Sequence, residues 1–180
     1  MNKKRLISAC FALLLGISFS ASLDKDIINV EANYMKYDLL SQLEESSDAI
    51  IIGKALKDFD DREHKLSFFD DGTLEDFYTL TDIEVSKVFK SNFNDISENQ
   101  KIEIVEPVSL KGNDIITYSG YRPLKEKEEY IIFLAKNSYG QYSIINMQEG
   151  VFSYNVSQSD TLKLDDNSLY GEVYKKYITK

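Results

Sequence analysis

Cysteine and histidine are nearly missing from this chain: 180 residues hold one of each, Cys10 and His64, with only two prolines and a formal charge of -9. Each scarcity excludes a class of function. A structural zinc site needs several Cys or His ligands, and a Ser-His-Asp triad needs a histidine held in a cleft. His64 instead sits in the charged stretch Asp60-Asp-Arg-Glu-His-Lys65 and reads as a surface residue. Gly-rich phosphate loops, nucleophile elbows and Cys-His pairs are also missing, so no catalytic residue, metal ligand or cofactor site is expected. The excess of 30 acidic over 21 basic residues disfavours nucleic acid or an anionic membrane as partner through plain repulsion.

What is present begins with an export signal. Residues 1–22 have a basic start at Lys3, Lys4 and Arg5, an apolar run from Leu6 to Phe19, and small residues at Ser18, Ser20, Ala21 and Ser22. The run is shorter than the ~20 residues that span a bilayer, and no later segment is long enough, so a soluble mature chain without a transmembrane segment is expected. Ile7-Ser8-Ala9-Cys10 superficially fits a lipoprotein cleavage site, but most of the apolar core follows Cys10, which makes this cysteine part of the signal. Removing the signal takes the charge to -12 and leaves no cysteine, so no disulfide can stabilise the product. Residues 23–180 are the size of one domain, able to bury roughly two-thirds of the unfolded chain's surface.

Along that domain, the longest strand pattern is residues 78–90, Tyr-Thr-Leu-Thr-Asp-Ile-Glu-Val-Ser-Lys-Val-Phe-Lys. Its apolar residues change face along its length, as expected where a sheet curls over and closes. Before it, Met35, Leu39 and Leu43 recur every four residues, which predicts an amphipathic helix over residues 34–46 with Asn33 as N-cap. Residues 48–56 read as a buried strand in which Gly53 marks a bulge or a close backbone approach. The Asp70-Asp71-Gly72 turn predicts a long hairpin loop, and residues 101–108 a third strand stopping at Pro107.

Residues 109–129 read as a long loop with one extended piece at 115–118. Tyr130-Ile-Ile-Phe-Leu-Ala135 should be a central strand covered on both faces, with shorter strands at 141–147 and 152–156. Leu169, Tyr170, Val173, Tyr174, Tyr177 and Ile178 form the stripe of a closing helix, with Asp165 and Asp166 at its start and Lys175, Lys176 and Lys180 at its end. The expected class is α+β, mainly β: a five- to six-stranded antiparallel Greek-key barrel with an N-terminal and a C-terminal helix.

The succession Ser47-Asp48-Ala-Ile-Ile-Ile-Gly-Lys54, residues 78–90, Lys101-Ile-Glu-Ile-Val105, Glu128-Glu-Tyr-Ile-Ile-Phe-Leu134 and Gly140-Gln-Tyr142 resembles the tissue-inhibitor-of-metalloproteinase-like, or netrin-like, OB-fold domains. It is most similar to uncharacterised secreted proteins of Gram-positive bacteria with that barrel, over residues 38–152. The resemblance implies an OB-like fold. Animal inhibitors of the family set a mature N-terminal cysteine against the protease zinc, and this chain has no mature cysteine for that part.

Three groups of residues remain as candidates. The acidic sets Asp58, Asp60, Asp61 and Asp70, Asp71, Glu75, Asp76 supply oxygen ligands of the kind calcium takes, but their spacing fits no EF-hand loop and reads as solvated loop charge. Glu103 or Glu106 facing Asp82 or Glu84 would give a hydrolase its pair of carboxylates. Of the tyrosines Tyr118, Tyr121, Tyr139, Tyr142 and Tyr154, those beside Gly120 and Arg122 stand out, and Tyr118, Gly120, Tyr121 and Arg122 are the expected contact patch. The function expected is that of an exported, non-catalytic binding protein acting on an extracellular protein or a cell-wall component. An inhibitor of an extracellular protease and a hydrolase with a carboxylate site are the alternatives.

Overall fold

A computed structural model describes residues 25–155 and 168–178; the expected signal peptide, Cys10, Asp165, Asp166 and Lys180 lie outside them. Ten strands carry the fold: β1 (Ile27–Val30), β2 (Ala49–Ala55), β3 (Glu63–Phe68), β4 (Leu74–Ser91), β5 (Lys101–Glu106), β6 (Val108–Lys111), β7 (Asp114–Tyr118), β8 (Glu129–Lys136), β9 (Tyr142–Ile144) and β10 (Val151–Ser153). Two short helical pieces flank them, α1 (Leu40–Ser46) and α2 (Leu169–Val173), the latter continued by a wider π-type turn over Tyr174–Ile178.

Five strands close into a barrel in the order β2-β4-β5-β9-β8, with β8 pairing back onto β2. The barrel is not wholly antiparallel, which corrects the expectation: β5 and β9 run parallel, Ile104 opposite Tyr142. A parallel pair needs a long crossover, and residues 107–128 together with β8 provide it. β3 extends the first half of β4 as a hairpin, and β10 lies outside β8.

β4 shows why its apolar residues change sides. Its first half buries Phe77, Thr79, Thr81, Ile83 and Val85 on one parity. The β2–β4 register then slips between Ile50 and Ile51 and between Ile52 and Gly53. Between the slips Val88, opposite Ile51, packs on the barrel interior, while Phe89, at the slip that follows it along β4, joins an outer cluster with Leu43, Ile50, Ile52, Phe133 and Tyr177. β2 and β8 are consequently buried on both faces, by the barrel core on one side and by α1 and the C-terminal helix on the other. Glu44 ties the two helical pieces together, accepting from the Tyr177 hydroxyl at 2.5 Å and pairing with Lys176.

Two expectations need correction. The helix predicted over residues 34–46 forms only from Leu40, and the N-cap position is Leu39, with no side-chain cap. Tyr37 is held instead by the buried Asn146 side chain, which accepts from its N–H and donates to its C=O at 2.9 Å each. Those two bonds replace the ones that a helix would make. The 109–129 stretch is not a plain loop either: β6 and β7 pair across Gly112-Asn113, and β1 adds in parallel to β7 as a separate three-stranded sheet. A Gly-Asn pair between two short extended runs is a hairpin signal.

Gly53 stands at the second register slip, and a Cβ there would collide with Ile83 Cγ2 and stand 3.2 Å from the Glu84 carbonyl oxygen. Gly53→Ala is expected to destabilise the fold by about 1–3 kcal/mol, as overpacking of a tight core does, measured as a lowered urea midpoint at unchanged slope. A variant as stable as wild type would show that the two strands part freely at this bulge.

Candidate functional site

One end of the barrel is closed by residues 119–128, and a buried carboxylate fixes that closure. Glu106, fully buried at the end of β5, accepts four hydrogen bonds. Arg62 Nη1 donates at 2.7 Å and the Thr81 hydroxyl donates to the same oxygen; the Tyr121 hydroxyl at 2.8 Å and the Leu124 N–H at 2.9 Å donate to the other. Arg62 in turn donates to the Lys57 carbonyl from Nε and Nη2, and to the Leu124 carbonyl at 2.5 Å. A buried ion pair offsets its desolvation only when its remaining donors and lone pairs are also matched, and here both Glu106 oxygens accept two bonds each and four of the five Arg62 N–H groups donate. Burial, followed by the Glu106 charge, raises the Tyr121 hydroxyl well above its usual pKa, so it stays protonated as a donor.

Against the outside of this closure lies a groove of about 720 Å³ between residues 122–130, the segment leading into β10, and the start of α2. The half-buried Leu169 gives it apolar surface above a floor of the buried Val151 and Phe152, Tyr130 and Tyr170 give an amphipathic one, and Arg122 and Lys125 cations. Its size falls in the range of small-ligand sites. The charged groups are nearly all matched. Asp38 and Glu149 both pair with Lys36, and Glu128 pairs with Lys125 while accepting from the Tyr130 hydroxyl at 2.8 Å. Burial pushes that Tyr130 hydroxyl up to about 12. The exposed Arg122 guanidinium alone among the groove's charges has no partner among the described residues. Its backbone N–H is fixed by Gln148 Oε1 at 2.9 Å.

The expected contact patch is therefore split. Tyr121 is 1 % exposed and belongs to the barrel core, because its hydroxyl is needed by Glu106. Tyr118 is half-buried, stacked on Phe77 at 4.0 Å, with its hydroxyl on Asp76. Burial, helped by that carboxylate, raises it to about 12. Gly120 is exposed with φ 72° and donates its N–H to Asn29 Oδ1. Only Arg122 of the four lines the groove. Of the other tyrosines, Tyr142 is buried against Asp95, Tyr154 packs on the outer cluster, and Tyr139 is exposed. Sequence reasoning missed Tyr130, Phe152 and Tyr170 as neighbours of Arg122, since only the tertiary fold brings them together.

The remaining candidates fall elsewhere. Asp82 and Glu103 are register partners on the barrel exterior, with Lys101 on Asp82 at 2.8 Å. Glu84 pairs with Lys54. Asp58 caps the turn at Asp60, Asp71 accepts from Thr73 N–H, and Asp76 holds Tyr118. Among the described residues no three His, Cys, Asp or Glu converge as a metal would require. No described helix is long and apolar enough to cross a membrane.

His64 also departs from expectation. It is half-buried on β3, edge-on to Phe59 at 4.8 Å, with Nδ1 2.9 Å from the Thr79 hydroxyl. That hydroxyl donates to the Val108 carbonyl, so Nδ1 carries the ring proton, and Nε2 is buried without a hydrogen bond. Burial lowers its pKa below 6.5.

Two outcomes follow. Glu106→Gln leaves Arg62 buried and unpaired, and should cost about 3–5 kcal/mol in urea unfolding, with amide exchange at Leu124 accelerating ahead of the barrel strands. An unchanged Leu124 would show that the closure does not depend on the carboxylate. For His64 the folded pKa is depressed, so the unfolded chain binds the proton first as pH falls below 6.5 and stability declines in that window. His64→Gln should flatten that limb of the stability profile, which a series of urea midpoints between neutral and mildly acidic pH would read. No protein-family model and no curated protein matches this chain.

Proposed function

We propose that this protein is an exported, non-catalytic binding protein that engages its partner through the groove beside Arg122. The observation that carries this reading is the groove itself: apolar and tyrosine surfaces around the guanidinium of Arg122, which has no partner among the described residues and whose backbone N–H is held by Gln148. The basic, apolar and small-residue pattern of residues 1–22 supports an export signal and so a partner outside the cell, and the resemblance to secreted Gram-positive proteins supports the cell wall as one such place. An OB-type barrel related to the tissue-inhibitor-like domains is supported by the order β2-β4-β5-β9-β8, a Greek-key arrangement of five strands. In such barrels ligands commonly meet the face of the second and third strands and its flanking loops. Residues 119–128 belong instead to the connection from the third barrel strand, β5, to the fourth, β8, so the groove's own lining, and not the fold, supports this site.

The test uses the mature chain, residues 23–180, immobilised and exposed separately to culture-supernatant proteins and to purified cell wall from a Gram-positive cell. Wild type should retain one defined partner that Arg122→Glu releases, while both proteins keep the same urea midpoint. Retention that is identical in the two would remove the groove from the function, and retention of nothing from either fraction would remove the binding reading. If the retained partner is an extracellular protease, inhibition of that protease by wild type and not by the variant narrows the function to inhibition.

A further inference from the structure

We propose that the groove takes the free C-terminal end of a peptide, its terminal carboxylate on the Arg122 guanidinium and an apolar last side chain against Leu169 and the ring of Tyr170. The proposal rests on the groove being the binding site and names what enters it. Charge matching selects the carboxylate. Of five charged side chains at the groove, Asp38, Glu149, Glu128 and Lys125 already have partners. An anion meeting Arg122 displaces no existing pair. A guanidinium also offers two parallel N–H donors that match a carboxylate edge to edge, which an ammonium does not.

The three groove acids then say where the carboxylate must be. A ligand carrying several negative charges is repelled by Asp38, Glu128 and Glu149 and by the net charge of -12 on residues 23–180. One carboxylate at the end of an otherwise neutral or basic chain meets the cation without meeting the acids. The apolar surfaces beside it suit the last side chain, and Tyr130 can cover the preceding residues with little entropy lost. The backbone of Arg122 is preorganised for this task, while its exposed side chain stays free to meet the ligand. Its N–H is held by Gln148, and Pro123 follows it, which restricts its own backbone to extended conformations.

The test titrates acetyl-Lys-Ala-Leu with a free C-terminus, and the same peptide as its C-terminal amide, into the isotope-labelled mature chain. The free acid should shift the amide signals of Arg122, Leu124 and Gln148 saturably, and the amide should bind at least about fivefold more weakly, the scale of one partly exposed ion pair. Arg122→Ala should abolish the difference between the two peptides, and Arg122→Lys should restore part of it. Equal binding of acid and amide by wild type, a preference that survives in Arg122→Ala, or no saturable shift with either peptide would each overturn the proposal. Arg122-dependent retention of a wall or supernatant partner, alongside failure of the peptides, would leave the groove as the binding site and remove the peptide terminus from it.

Discussion

The Glu106 carboxylate is the constraint on which the closed end of this barrel depends. It gathers four donors from three separate stretches of the chain, the β2–β3 connection, β4 and residues 119–128. A charge buried this fully is tolerable only with every lone pair engaged, so the network holds as a unit. The carboxylate's bond to the Tyr121 hydroxyl holds that side chain in the core, while Arg122, one residue on, is exposed. The groove's cation is thus positioned by an ion pair that never touches solvent.

A second constraint is the double burial of β2 and β8. Ala49, Ile51, Ala55, Ile132 and Leu134 fill the barrel, while Ile50, Ile52, Ile131 and Phe133 need a cover outside it. The short α1 and the C-terminal helix supply that cover, with Leu43, Val173 and Tyr177 as its buried members. The Tyr174 hydroxyl also donates to the Ser153 carbonyl at 2.9 Å. Tyr154 N–H bonds Glu129, so alternation along β10 turns Ser153 toward its outer edge, and the tyrosine blunts a strand edge that would otherwise invite pairing.

Features written in neighbouring residues were legible before the fold was seen. The change of face along β4, the close approach at Gly53, and the double burial of residues 130–135 each follow from side-chain alternation within a few positions. What escaped depends on residues far apart. Residues 34–39 carry a helical pattern, yet Asn146, 109 positions from Tyr37, takes the backbone bonds a helix would use. Arg62 lies in a run of charges that reads as solvated, and only the fold shows that Glu106, 44 positions away, draws it inside. Tyr121 and Arg122 are adjacent, so composition groups them; their opposite orientations are decided by the carboxylate. The one legible signal left unused was Gly112-Asn113, whose hairpin converts half of a supposed loop into β6 and β7.

These separations explain why the groove has firm walls. Its residues come from the entry to α1, the barrel closure, the segment before β10 and the start of α2, and each stretch is fixed by an interaction outside the groove. Glu106 holds Leu124, β8 holds Phe152 through Ile131, and Ser168 accepts from Gly171 N–H at the first turn of α2. A site assembled this way needs little rearrangement when a partner arrives, so less of the interaction energy goes into ordering side chains. The same reasoning separates two roles that sequence adjacency had merged: replacing Tyr121 strikes the scaffold and with it every wall of the groove, whereas replacing Arg122 changes the charge a ligand meets and leaves the barrel intact.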